Sequence, residues 1–156
     1  MYSSEEIIEI AVRVETNGEQ FYTESARKAE GELKRLFNFL AEQEGMHMLK
    51  FESLRKYARD FVLPSDWVEI EPYLNTIVES AFFIGNEKSL VRATQAKDPA
   101  KLLEFALQFE KETLLFFNEI KGFANEASRG VVAQIVGEEK RHIIMISDLI
   151  KQRSHD

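Results

Sequence analysis

Cysteine is absent from the 156 residues, which excludes disulfides, thiolate zinc sites, iron–sulfur clusters and a cysteine nucleophile. Any bound metal must be held by oxygen and nitrogen. Proline occurs three times and glycine seven, and so few breakers point to long helices rather than to disorder or a turn-rich β chain. Net positive charge is missing too: a formal charge of −7 argues against nucleic acid and against anionic membrane surfaces as partners. No apolar run approaches the ~20 residues of a membrane span, and the start, Met1-Tyr2-Ser3-Ser4-Glu5-Glu6, is acidic where a signal peptide is basic. A cytoplasmic protein of one domain, residues 1–156, is expected, long enough to bury its own core.

What the chain does have is helical periodicity, in four stretches. Ser3 or Ser4 opens the first, with Glu6 placed to close a capping box on Ser3, and the stripe Ile8, Ala11, Glu15, Gly18, Tyr22, Ala26, Ala29 predicts a helix over 3–30. Gly31 reads as its stop. A second stripe, Leu33, Phe37, Leu40, Glu44, His47, Phe51, Leu54 and Ala58, predicts a helix over 32–59. Asp98-Pro99 is an N-cap followed by proline at the first helical position, opening a helix over 99–124 with the stripe Leu103, Ala106, Glu110, Thr113, Phe117, Ile120. The last helix, 128–152, has Ser128 as its expected cap and carries Val132, Ile135, Glu139, His142, Ile146 and Leu149. Over 60–98 the pattern loosens around Pro64, Trp67, Pro72 and Gly85, and a connection with one or two short helices is expected. Trp67 and Phe82-Phe83 read as packing for that connection, with a dimer surface as the alternative.

The polar members of the buried stripes repeat. Glu44-Gly45-Met46-His47 and Glu139-Lys140-Arg141-His142 each place a glutamate and a histidine one turn apart on one helix face, an oxygen and a nitrogen offered to one point. A further glutamate, Glu15 or Glu110, stands 29 positions upstream of each, and the two sets are offset by 95. The midpoints of Glu15/Glu44 and Glu110/Glu139 fall at 29.5 and 124.5, at the expected turns, so in antiparallel hairpins each pair of glutamates is level. A long crossover lets the second hairpin start at the far end of helices ~39 Å long. The expected fold is therefore an all-α four-helix bundle of two antiparallel hairpins.

Four unpartnered carboxylates in a bundle core would each cost several kcal/mol unless protonated or cation-bound. Two divalent cations balance Glu15, Glu44, Glu110 and Glu139, with His47 and His142 completing the set. The two nitrogens favour iron, manganese or zinc over calcium or magnesium. Tyr22, seven residues after Glu15, is either a hydrogen-bonding or redox-active neighbour of the site or a core tyrosine with a satisfied hydroxyl. Glu112 and Glu138 point off the stripes and read as solvated helix-face charges, while Phe21, Phe109, Phe116 and Phe117 read as core.

At these residues the chain resembles the rubrerythrin-like branch of the ferritin-like di-iron carboxylate superfamily, whose pattern is a glutamate from each of two helices and Glu-x-x-His from each of the other two. Glu15-Thr16-Asn17-Gly18-Glu19-Gln20-Phe21-Tyr22 looks like that branch's first helix, and Phe39-Leu40-Ala41-Glu42-Gln43-Glu44 with His47 like its second. The resemblance implies two iron ions, with Glu44 and Glu139 bridging them, Glu15 and Glu110 as terminal ligands and one histidine on each. It implies an oxidoreductase that reduces peroxide or dioxygen in oxidative stress, most simply as a homodimer. Two departures stand out: Thr113 replaces a further glutamate of rubrerythrins proper, and no cysteine-ligated electron-delivery domain is present, so a separate donor protein is needed. Iron storage inside a shell, or a metal-stabilised structural bundle without turnover, are the alternatives. Gly45 follows Glu44 where a haem-binding bacterioferritin has methionine, so no haem is expected.

Overall fold

The computed structural model describes residues 2–80, 93 and 95–155, and among them there is no strand. Helix α1, Ser4–Lys28, starts on a complete capping box: Glu6 N donates to Ser3 Oγ at 3.2 Å and Ser3 N to Glu6 Oε2 at 2.7 Å. At its other end Arg27 and Lys28 complement the helix dipole, and Lys28 Nζ also donates to the carbonyls of Ala93 and Ala96. Only Ala29 and Glu30 separate α1 from α2, Gly31–Leu54. Gly31, expected as the stop of α1, is instead the first residue of α2; its φ of 59° lies in the left-handed region that glycine enters at no steric cost. Helix α2 tightens into a 3-10 segment, Arg55–Asp60, so the α-helix expected to 59 ends at Leu54.

The crossover holds α3, Trp67–Ser80. It is a short helix of the kind expected in the connection, and it runs through Pro72, one of the residues around which the sequence pattern loosens. Proline removes one backbone hydrogen bond, and the buried Trp67, Leu74 and Val78 offset that loss by anchoring the helix on the bundle. Trp67 meets Phe123 edge-on at 5.3 Å, and Val62 N donates to Phe123 O at 3.1 Å, so Trp67 packs the crossover rather than marking an exposed surface. The Ala81-Phe82-Phe83-Ile84 patch, Gly85 and any second short helix there lie outside the described residues.

Helix α4, Pro99–Phe123, begins as expected, with Asp98 accepting from Ala100 N at 3.0 Å and Pro99 at the first position. Helix α5, Glu126–Ser154, begins two residues before its expected start. Asn125, not Ser128, is the cap: its Oδ1 accepts from Ser128 N at 2.7 Å, and Ser128 is carried into the buried first turn.

Ring contacts fix the directions of the helices. The Phe51 and Phe117 rings, each seven residues beyond a stripe glutamate, lie 4.7 Å apart, so α2 and α4 run parallel. Phe39, before Glu44, meets His142, after Glu139, so α2 and α5 run antiparallel. With α1 and α4 each antiparallel to the helix that follows, the four form a ferritin-like bundle with one long crossover. Fully buried phenylalanines fill both halves, Phe21, Phe37 and Phe109 on one side of the glutamates and Phe51, Phe116 and Phe117 on the other, each worth about 1.5–3 kcal/mol of burial.

Candidate metal centre

The six polar stripe residues meet in the middle of this core. Glu15, Glu44, Glu110, Glu139 and His47 are 0% exposed and His142 is 2%. Helical side chains lean toward their own N-terminus. Because α2 and α5 are antiparallel, His47 and His142, each one turn past its glutamate, lean back toward a common centre and stack at 5.6 Å with 20° between ring planes.

Two overlapping groups result, each with one donor atom per residue and all donors within 4.8 Å of one another: Glu15, Glu44, His47, Glu139 and Glu44, Glu110, Glu139, His142. Glu44 and Glu139 belong to both. His47 Nδ1 lies 3.0 Å from Glu139 Oε1, 3.7 Å from Glu15 Oε1 and 3.8 Å from Glu44 Oε2. His142 Nδ1 lies 3.0 Å from Glu139 Oε2, 3.4 Å from Glu44 Oε1 and 3.5 Å from Glu110 Oε2. Hydrogen bonding lags behind proximity: of these approaches His142 Nδ1 with Glu139 Oε2 is a hydrogen bond. Both oxygens of Glu15 and of Glu44, Glu110 Oε2, Glu139 Oε1 and His47 Nδ1 are buried without a hydrogen-bond partner, a concentration of unsatisfied groups that a fold stable without cations would avoid. This hard oxygen-and-imidazole donor set fits a pair of divalent transition ions.

Without a cation the side chains must neutralise one another. Burial, reinforced by the Glu44 charge, holds Glu15 well above the usual carboxylate range, and burial with repulsion from Glu139 pushes Glu110 up to about 8. Burial also pulls Glu44 and Glu139 upward, but close approach of a protonated carboxyl and both imidazoles outweighs it, and both sit below the ordinary range. Burial alone would depress the histidines, yet the surrounding carboxylates raise His47 to about 10 and His142 to about 12. Two imidazolium ions then face two carboxylates and two carboxylic acids. The cluster is neutral through four protons, the same charge balance that two divalent cations would achieve.

The tyrosine and two of the residues beside the cluster take definite places. Tyr22 is fully buried and its hydroxyl donates to Glu110 Oε1; burial and the Glu110 charge hold its ionisation well above the ordinary tyrosine range, so it keeps its proton. Glu138 is not the solvated charge expected. It takes His47 Nε2 at 2.7 Å and Lys50 Nζ at 3.2 Å, with its side chain only 16% exposed. No periodicity could have found it, because the contact forms across the α2–α5 interface rather than along one helix. Glu112 accepts from Gln108 at 3.1 Å on the exposed face, as a helix-face charge should.

Comparison with known proteins agrees with this geometry. One solved structure, described as that of a candidate ferritin-like diiron-carboxylate protein from Thermotoga maritima, is 25% identical, covers 97% of both chains and superposes with a TM-score of 0.71. No curated protein matches the chain. Residues 6–90, which include α1, α2 and the candidate donors Glu15, Glu44 and His47, match the family model described as Rubrerythrin, and the chain therefore belongs to the rubrerythrin family.

Proposed function

We propose that this chain is a non-haem di-iron protein that reduces peroxide or dioxygen with electrons from a separate donor protein. The observation that carries the reading is the sharing of Glu44 and Glu139 between two four-residue donor groups. In this reading Glu15 and His47 would hold one ion, Glu110 and His142 would hold the other, and Glu44 and Glu139 would serve both. The iron pair supplies one electron from each ion, enough to reduce one peroxide with two protons to two waters. The description of the Thermotoga relative as a diiron-carboxylate protein supports iron over manganese or zinc.

The protein's own groups supply the setting. Side chains with 0–2% exposure exclude bulk water and so strengthen every charge interaction in the site. Glu138 accepts the His47 Nε2–H, which turns Nδ1 inward as the donor and makes it more basic. Tyr22 fixes Glu110 through Oε1 and leaves Oε2 free for an ion. These residues hold no cysteine to ligate an iron–sulfur or thiolate iron centre, and the proposal takes the electrons from a separate donor.

The test is anaerobic loading with ferrous ion, metal analysis, and stopped-flow mixing with peroxide and with dioxygen in parallel. Two irons per chain with fast bleaching or growth of iron absorption bands is expected. Fewer than one ion per chain, or two ions whose bands change with neither oxidant, overturns the proposal.

A further inference from the structure

Buried helical threonines ordinarily return their hydroxyl to the carbonyl four residues back. Two helical threonines that are only partly buried do so: Thr16 Oγ1 donates to Val12 O at 2.8 Å and Thr76 Oγ1 to Pro72 O at 2.9 Å. Thr113 does not. It is 0% exposed, and its Oγ1 has no hydrogen-bond partner among the described residues. Ser25 and Ser128 also lack partners, but they stand ten and eleven residues from Glu15 and Glu139, about 15 Å along their helices. Thr113 is one turn from Glu110 on the same stripe.

The parallel course of α2 and α4 locates that hydroxyl further. Glu44 and Glu110 share one donor group, so Thr113, three residues past Glu110, is level with His47, three residues past Glu44. Among the described residues, the other buried bundle side chains one turn to that side are Ala11, Ile135 and Val136, all apolar. The internal repeat offers a control at the opposite level. The counterpart of Thr113, 95 residues earlier, is Gly18, beside His142, and the Phe109 ring fills the space there: a Cβ on Gly18 would stand 2.6 Å from Phe109 Cζ. The counterpart of Phe109 is Val14, a smaller side chain. At one end of the site the Phe109 ring thus takes the space a side chain at Gly18 would need, and at the other an unspent hydroxyl is level with Ala11, Ile135 and Val136, with the Phe51 and Phe117 rings beyond.

The geometry points to Thr113 as the hydrogen-bond donor for a small anionic ligand of the peroxide class entering on the His47 side of the site. This rests on the di-iron reading above. A hydroxyl that is spent neither on its own helix nor on a neighbour has a proton to give, and an entering anion needs a donor in a core otherwise lined by carboxylates.

Azide, an anion that accepts hydrogen bonds, serves as the probe, added to the iron-loaded, oxidised chain and followed by its charge-transfer absorption. Iron content is measured first on wild type, Thr113→Val and Thr113→Ser. All three should hold two irons, with azide affinity lowered about tenfold in Thr113→Val and kept within about threefold in Thr113→Ser, the loss expected for one hydrogen bond to a charged group. Full iron content with unchanged azide affinity in Thr113→Val overturns the inference and leaves the di-iron reading intact, and so does an equal loss in Thr113→Ser. A wild-type chain that holds fewer than one iron overturns both.

Discussion

Metal loading should release about four protons per chain at pH 7. The perturbation is the titration of two zinc ions, which bind the same oxygen and nitrogen donors without redox chemistry, into metal-free protein. Before loading, Glu15 lies well above its ordinary range and keeps its proton, Glu110 at about 8 holds about nine-tenths of one, and His47 and His142 at about 10 and about 12 hold one each on their inward nitrogens. After loading, four carboxylates must be ionised and both Nδ1 atoms free to donate, so those protons leave. Glu44 and Glu139, held below the ordinary range, are already ionised and add none.

Calorimetric titration in two buffers of different ionisation enthalpy counts the protons directly. The same count sets the pH dependence: the overall constant for two ions should fall about four decades per pH unit below pH 7. Above about pH 8 the slope should ease toward three as Glu110 gives up its share. Fewer than two protons released, or an affinity that does not weaken on acidification, would falsify the neutral four-proton cluster.

Other outcomes follow from the same geometry. Metal-free protein should lose thermal stability as pH rises from about 6 to 9, because groups with raised folded-state values, Glu15, Glu110 and both histidines, bind protons more tightly folded than unfolded; zinc-loaded protein, scanned alongside, should gain over the same range. Glu138→Gln should weaken one of the two ions about tenfold and spare the other, read by chelator competition, since that carboxylate stands behind His47 and not behind His142. Gly18→Ala should cost about 1–3 kcal/mol in urea denaturation, where its Cβ meets the Phe109 ring at 2.6 Å. Gly45→Ala, which meets only the flexible end of Glu19 at 3.1 Å, should be neutral or gain up to ~1 kcal/mol from helix propensity.

The sequence revealed those parts of the molecule that lie along single helices. Stripes, the Ser3 and Asp98 caps and the two Glu-x-x-His spacings are one-helix properties, and the midpoints at 29.5 and 124.5 fall in the observed turns at Ala29–Glu30 and Ala124–Asn125. Where two signals competed, the local reading failed. Ser128 was expected as the cap, but Asn125 accepts from the Ser128 amide and takes that place three residues earlier. Contacts between helices were invisible, and Glu138 is the clearest case, because a glutamate one residue off the stripe looks solvated until α2 brings His47 and Lys50 against it.

The repeat that exposed the six donors also shows that the two halves of the site are not equivalent. Ninety-five residues before Glu138 stands Gln43, whose amide turns to Met46 Sδ at 4.0 Å on the surface, so His142 has no carboxylate behind it from that position. Ninety-five after Tyr22 stands Phe117, which packs on Phe51 and has no hydroxyl to bond a carboxylate. One end of the centre therefore pairs Glu138, His47 and Thr113, and the other pairs Tyr22, Glu110 and the Phe109 ring over Gly18. A carboxylate behind a donor imidazole favours the higher charge on the ion it faces, whereas a hydroxyl bound to Glu110 draws charge away from that ligand. With iron in place the two ions should differ in potential, the one beside His47 oxidising first. Mössbauer spectra at half oxidation should then show one dominant mixed-valence form, whereas equal populations of two forms would mean that these differences around the donors do not reach the ions.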